Sequence, residues 1–226
     1  RLLGKRVDRV CISFEDSARF FPKETTTLTG NMIRKSFAEA KEPEPRDANA
    51  PLNILILGGS QGARSINKAV VDALPLLEAE KNKLRFVHQT GESEAERIKA
   101  AYQKQGWEAE IAPFIFNMET RYREADLVMC RAGATTLAEL TALGRPGVLV
   151  PFPFATHNHQ EKNARVLESA NAAVLVLDKE ADGIGDLLGR HEERIGHPVE
   201  LGPDASQRLV GVGLHQTAAD CVGPDS

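Results

Sequence analysis

Cysteine is scarce in this chain. Three occur in 226 residues, Cys11, Cys130 and Cys221, and none forms a C-x-x-C pair. An odd, sparse set argues against a disulfide scaffold and is expected of a reducing cytoplasm. No apolar run approaches the roughly 20 residues of a membrane helix. Neither sign of charge dominates: the formal net charge is −4, which does not suggest a general nucleic-acid binder. No signal peptide is recognisable. The first residue is Arg and not Met, so a fragment or a processed product is expected.

What is present is ordinary globular material, 42% hydrophobic and 27% charged, enough for one core or for one domain with an appendage. The most informative stretch is Asn53 to Asn67, NILILGGSQGARSIN. An Ile- and Leu-rich run breaks at Gly58, Gly59, Ser60, Gln61 and Gly62, and a helical spacing of apolar residues follows from Ala63. Strand, glycine turn and helix open an α/β unit. Glycines let the backbone turn tightly and approach a ligand, and the unpaired N–H groups of the helix start suit an anion such as phosphate. Ser60 adds a hydroxyl there. The same turn also serves plain helix packing. It is not a Walker A loop, because no Gly-Lys-Ser/Thr follows. Nor does its spacing match G-x-G-x-x-G, and the next strand ends in His-Gln where a dinucleotide fold places an acid.

Before this stretch, residues 1–10 read as the end of a helix, and Val10–Phe14 and Thr25–Leu28 read as strands. These are too few for a sheet of their own, so their partners are expected in a preceding domain. Residues 41–51, rich in proline and charge, read as a linker. After it come predicted strands at Asn53–Leu57, Leu84–His88, Ala109–Pro113, Leu127–Cys130, Gly147–Val150 and Ala173–Leu177. The predicted helices between them are Ala63–Ala73, Glu92–Gln105, Met118–Glu124, Thr135–Leu143 and Asn158–Ser169. Pro75 should stop the first of these near Ala73. Such alternation predicts an α/β fold, a Rossmann-like parallel sheet with helices on both faces, and places ligands at the carboxyl ends of the strands. Beyond Asp178, Ile184–Leu188 could be helical, and residues 189–226 read as irregular.

Three further loops leave the same predicted edge. In RAGATTLAE (Arg131–Glu139), Gly133 permits a tight turn, Thr135 or Thr136 could cap the helix, and Glu139 lies a turn further in, where a carboxylate could hold ribose hydroxyls. A capped helix with a favourable acid explains the same residues. In Phe114–Met118, apolar residues could sandwich a flat base with the Ile115 backbone at its edge, although core packing is the expectation for the two phenylalanines. In PFPFATHNHQ (Pro151–Gln160), His157, Asn158, His159 and Gln160 offer neutral groups suited to sugar hydroxyls. His157 and His159 do not face the same way on a helix, so they make a poor metal pair. There is also no Asp-x-Asp metal clamp. Glu124 and Asp126, the nearest acidic pair, read as a helix end. Cys130 reads as a buried structural thiol, not an activated one.

Taken in order, GNMIR (Gly30–Arg34), GGSQGAR (Gly58–Arg64), VHQTG (Val87–Gly91), PFIFNM (Pro113–Met118), ADLVMCRAGATTLAEL (Ala125–Leu140) and GRPGVLVPFPFATHNHQEKNA (Gly144–Ala164) resemble the MurG family of bacterial N-acetylglucosaminyltransferases. The resemblance runs from about Arg1 to Asp178. It implies the C-terminal half of a two-domain GT-B fold, with residues 1–40 a remnant of the N-terminal acceptor domain, 41–51 a linker, 52–178 the UDP-GlcNAc-binding domain and 179–226 a divergent tail. It implies a hexosyltransferase that moves GlcNAc from UDP-GlcNAc to the C4 hydroxyl of MurNAc in lipid I, giving lipid II for the cell wall. It implies no cofactor, metal or nucleic acid, and peripheral attachment to the cytoplasmic face of the bacterial inner membrane through the missing domain. Carried over by motif, the donor contacts are Arg34, Ser60, the Ile115 backbone, Ala134, Thr135, Thr136, Leu137, Ala138, Glu139 on the ribose, and Gln160 on the sugar. Gly59, Gly62, Gly133 and His159 are further candidates. His159 stands where some members have a second glutamine, and Met32 replaces a usual proline. The catalytic base is expected in the missing domain. Two other readings stay open: a GT-B relative such as a UDP-GlcNAc 2-epimerase, for which no convincing acid/base pair is seen, and a non-catalytic nucleotide-sugar-binding module.

Overall fold

The computed structural model describes residues 4, 6–38, 47, 50–59 and 62–189. Its centre is a six-stranded, all-parallel sheet. The strands are β3 (Leu52–Leu57), β4 (Leu84–Gln89), β5 (Ala109–Ala112), β6 (Leu127–Cys130), β7 (Gly147–Leu149) and β8 (Ala173–Leu175), in the spatial order β5-β4-β3-β6-β7-β8. The chain works outward from β3 to β5, returns to the other side of β3, and works outward again to β8. The order therefore reverses between β3 and β6, the point at which parallel sheets of this kind offer a crevice at the carboxyl ends of their strands. A separate parallel pair, β1 (Val10–Ile12) and β2 (Thr26–Leu28), precedes this sheet.

Burial on both faces explains the central strands. Successive side chains of a strand point to opposite sides. In β3, Ile54 and Ile56 enter one hydrophobic cluster, and Leu55 and Leu57 enter the other. In β6, Leu127 and Met129 join the first cluster, and Val128 and Cys130 the second. Such strands read as continuous apolar runs. The first face is covered by α2 (Arg64–Ala73), a 3-10 segment Leu74–Glu80, α3 (Ala95–Lys104) and α7 (Ile184–Gly189). The second is covered by α4 (Met118–Glu124), α5 (Ala134–Ala142) and α6 (His159–Ser169). The short α1 (Lys35–Ala38) adds Phe37, which is 1% exposed and meets Tyr122 edge to face at 5.6 Å.

Element boundaries agree with the sequence reading to within two or three residues, and α2 stops at Ala73, one residue before the 3-10 turn containing Pro75. Three expectations change. The two early strands pair with each other in parallel, joined by a connection long enough for such a crossover. Where a helix end was expected over residues 1–10, the described residues show a 3-10 position at Gly4 and bends at 6–8 before β1. The long helix predicted from Glu92 starts at Ala95, after a separate 3-10 turn, Glu92–Glu94. Most of the expected linker, and residues 190–226 of the expected tail, lie outside the described residues. Past position 178, however, Ala181, Ile184 and Leu188 belong to the first core cluster, against α2 and the 3-10 segment after it.

That packing is measurable. Leu188→Ala should lower the unfolding free energy by about 2–5 kcal/mol in urea titration, as for a core leucine. A change below about 0.5 kcal/mol, the usual size for surface positions, would mark α7 as an appendage.

Candidate functional site

The carboxyl edge around the crevice is built from four loops. The glycine loop after β3 starts at Gly58, whose N–H donates to the Gln89 carbonyl at 2.9 Å. A Cβ at Gly58 would stand 2.9 Å from both Gln89 O and Ala63 N. Gly62 has φ +74°, and a Cβ there would come within 2.6 Å of Thr90 O. These glycines let the loop lie flat against the end of β4. Gly59, φ +71°, has open space around it. Ser60 falls outside the described residues.

The loop after β6 enters α5 with Gly133 at the N-cap position in an extended conformation and no side-chain cap. The threonine cap expected from the sequence is therefore absent. The Thr135 hydroxyl instead accepts a hydrogen bond from Asn31 Nδ2 at 3.1 Å, across 104 positions. Ala134 and Thr136 are half-buried and Thr135 is exposed, while Leu137 and Ala138 turn fully inward. Ala134–Thr136 thus form an uncapped helix start at the crevice, and Leu137 and Ala138 hold that turn on the sheet. Arg34, just before α1, reaches the same helix. Its Nη2 lies 3.5 Å from Glu139 Oε1, and its guanidinium stacks on the Phe37 ring at 4.8 Å. The Glu139 side chain is 13% exposed, against 56% for Arg34. Burial pushes the Glu139 carboxyl above its ordinary range; Arg34 opposes this in part, and Glu119 adds to it.

Two loops flank this centre. After β5, Ile115 is 5% exposed, and its N–H donates to Gln89 Oε1 at 3.3 Å. Its neighbours turn out: Phe114 is 47% exposed and Phe116 86%, so core packing is not their role. With Ile115 pointing inward, residues on either side of it in an extended stretch face solvent. After β7, Gln160 Oε1 accepts the Phe152 N–H at 3.0 Å, and His159 Nδ1 donates to the Thr156 carbonyl at 2.8 Å. His157 and Asn158 both adopt left-handed conformations, φ 54° and 55°. They form the sharp turn into α6. Arg131 braces the edge from inside: it donates to the carbonyls of Val150 and Pro151 at 3.0 Å and to Ser65 Oγ at 2.7 Å, and it pairs with Asp178.

The structure thus brings Arg34, Gly62, Gly133, Thr135, Glu139, Ile115 and Gln160 to one sheet edge, on its loops and on the first turns of α5 and α6. Sequence reasoning passed over Asn31, Gln89, Asn67 and the bracing role of Arg131. The signal for Asn31 was available, since it sits inside a motif read as a unit. Asp126, set aside as a helix-end acid, accepts the Asn53 N–H at 2.7 Å at the opposite edge. Cys130 is buried, and burial pushes its thiol up to about 12, in keeping with an inert structural role.

A parallel sheet with a central order reversal, glycine turns and an uncapped helix start facing the crevice is the architecture of a nucleotide-binding α/β domain. The sequence profile of the glycosyltransferase family 28 C-terminal domain matches residues 53–189, and the chain belongs to that family. Within it, the chain is 45% identical over 201 residues to the UDP-N-acetylglucosamine–N-acetylmuramyl-(pentapeptide) pyrophosphoryl-undecaprenol N-acetylglucosamine transferase of Citrifermentans bemidjiense, covering 89% of this chain and 56% of that protein. With the transferase of the same name from Syntrophus aciditrophicus it shares 42% over 222 residues, covering 98% and 61%. Among solved structures it is similar to Acinetobacter baumannii MurG, with a TM-score of 0.65 and 29% identity over 96% of this chain and 58% of that one. The chain therefore spans somewhat over half the length of the relatives it matches. The fold is the Rossmann-like C-terminal domain of the GT-B glycosyltransferases.

The buried carboxylate gives a pH test. Because the folded pKa of Glu139 is raised, the native state holds its proton more tightly than the unfolded chain. Stability then declines as pH rises from the ordinary value of 4.5 through the raised one. Glu139→Gln should therefore melt higher than the wild type at pH 7, with the gap closing below about pH 4.5. Thermal melts across pH 4–8 would check this, and a gap independent of pH would refute the burial account.

Proposed function

We propose that this chain is the donor-binding half of a peptidoglycan N-acetylglucosaminyltransferase. It holds UDP-GlcNAc while GlcNAc passes to the C4 hydroxyl of MurNAc in lipid I, giving lipid II. The observation that carries the reading is the convergence of Arg34, Glu139 and the uncapped start of α5 at the crevice. The names of the relatives, all N-acetylglucosaminyltransferases, supply the substrate class.

In this reading the uracil edge meets the Ile115 backbone, with exposed Phe114 beside it. Glu139 accepts hydrogen bonds from the ribose hydroxyls. The diphosphate lies over the glycine loop, with Ser60 near it, and over the amides at Ala134–Thr136. Gln160 reads the sugar hydroxyls, with His159 next to it. The reaction is inverting: the acceptor oxygen attacks C1 as UDP leaves. Negative charge grows on the departing diphosphate, and preorganised helix amides with Arg34 stabilise it without a metal ion. Arg34 is half exposed and paired only at 3.5 Å, so it can turn to a phosphate at little cost. The base that activates the acceptor, the lipid I contacts and the peripheral attachment to the cytoplasmic face of the membrane belong to the remainder of the protein. Among the described residues no helix is long and apolar enough to cross a membrane. Residues 1–40 are then the last piece of the acceptor domain, and residues 52–178, together with the packed segment up to 189, form the donor domain.

Calorimetric titration with UDP-GlcNAc tests the reading. Binding should be weak, independent of Mg²⁺ and lost in Glu139→Ala, and the chain alone should transfer no sugar. Binding of NAD in place of UDP-GlcNAc, or a strict requirement for Mg²⁺, would overturn it.

A further inference from the structure

Six polar side chains are buried among the described residues, and four of them meet at one place: Asn67, His88, Gln89 and Thr90. They lie at the end of β4 and the adjoining turn of α2. None lies in the crevice itself, and no step proposed above uses them.

Their hydrogen bonds form a directed chain. Asn67 Nδ2 donates to the Thr90 carbonyl at 3.0 Å, which turns Asn67 Oδ1 toward His88. The neighbour of Oδ1, His88 Nε2, is 3.1 Å away and must be the donor. His88 Nδ1 is then an acceptor, facing the Tyr102 hydroxyl at 3.4 Å. The imidazole is neutral in this arrangement, and burial lowers its pKa to about 3, so it stays neutral through the physiological range.

The outer ends of the chain touch two loops at once. The Thr90 carbonyl, fixed by Asn67, is the surface on which Gly62 rests, with no room for a Cβ. The Gln89 carbonyl accepts the Gly58 N–H, and the Gln89 side chain accepts the Ile115 N–H. Thr90 N–H and Gly91 N–H donate to the carbonyls of Ala112 and Pro113, the start of the Ile115 loop. This follows from strand order, because β4 lies between β3 and β5 and its last residues reach both loops.

We propose that Asn67, Gln89 and Thr90 form a positioning unit that fixes the separation between the glycine loop and the Ile115 loop. The unit thereby sets the span between the diphosphate and base ends of a bound nucleoside diphosphate without contacting it. His88, locked in one tautomer, keeps the Asn67 amide from flipping. The ligand half of this statement rests on the donor-site reading above; the coupling of the two loops does not.

The test uses the ¹⁵N-labelled 226-residue chain with Gln89→Met and Asn67→Leu, which keep volume and remove the polar groups, and Asn67→Asp, which keeps only the acceptor for His88. Without ligand, Gln89→Met should speed hydrogen exchange of the Ile115 amide by about tenfold, the loss of one hydrogen bond. Asn67→Leu and Asn67→Asp should both shift the amide resonances of Gly62 and of Ile115, although Asn67 has no hydrogen bond to the Ile115 loop. If Asn67→Leu fails to fold, Asn67→Asp carries this arm. Ile115 unmoved in the Asn67 variants would overturn the coupling, as would exchange rising equally at Ile54 and Val128, which would mean general loosening. With ligand, UDP should bind Gln89→Met about tenfold more weakly, while inorganic pyrophosphate binds as in the wild type. Equal losses for both probes would overturn the selective role at the base end. Failure of UDP to bind the wild type would instead refute the donor site and leave the loop coupling to the first arm.

Discussion

Everything at the carboxyl edge depends on β3 being buried on both faces. Ile54 and Ile56 on one side and Leu55 and Leu57 on the other leave the strand no solvent face. A strand in that position can be flanked only by other strands, so β4 and β6 lie on either side of it. The loops after these strands are therefore forced together. The close approach of Gly58 and Gly62 to the end of β4 follows from the same placement, as does the opening between β3 and β6 where α5 begins.

Long-range contacts then give that edge its chemical character. Asn31 and Arg34 come from before the sheet and meet Thr135 and Glu139 more than a hundred positions later. Neither contact is strong alone; a partly exposed ion pair contributes about 0–1 kcal/mol. What they achieve is placement. A cation is held beside an uncapped helix start, where an anion would be doubly favoured, and a buried carboxylate is kept from full isolation. Phe37 anchors the cationic segment through the core, so placement costs the flexible arginine little order of its own.

The sheet was legible in the sequence because its strands are apolar runs bounded by turns, and its helices carry apolar residues at helical spacing. The local edges of elements were legible where a residue has a hard steric rule, as with Pro75. What pattern could not reach were contacts made across the fold. Thr135 looked like a helix cap, since threonine near a helix start usually is one, but Asn31 claims its hydroxyl. Phe114 and Phe116 looked like core because phenylalanine is usually buried, yet Ile115 takes the inward position between them. The two early strands looked orphaned because nothing in a short run of residues reveals that its partner lies a crossover away. Gln89 was hidden for the opposite reason: its motif read as a strand end, and the function of its side chain exists only once β5 lies alongside.

The packing of α7 also shapes how the chain is made. Ile184 and Leu188 complete the hydrophobic face begun by Ile54 and Ile56, although they are synthesised long after them. During translation α2 and α3 can cover that face as the strands assemble, but the part of α2 and of the 3-10 segment that α7 packs on stays open to water until the end of α7 has left the ribosome. The interval is governed by elongation speed, not by local helix formation, and an exposed, partly covered sheet is the state most prone to non-native association. For this domain the vulnerable period of folding is therefore set by how late in the chain Leu188, the last core leucine among the described residues, is reached.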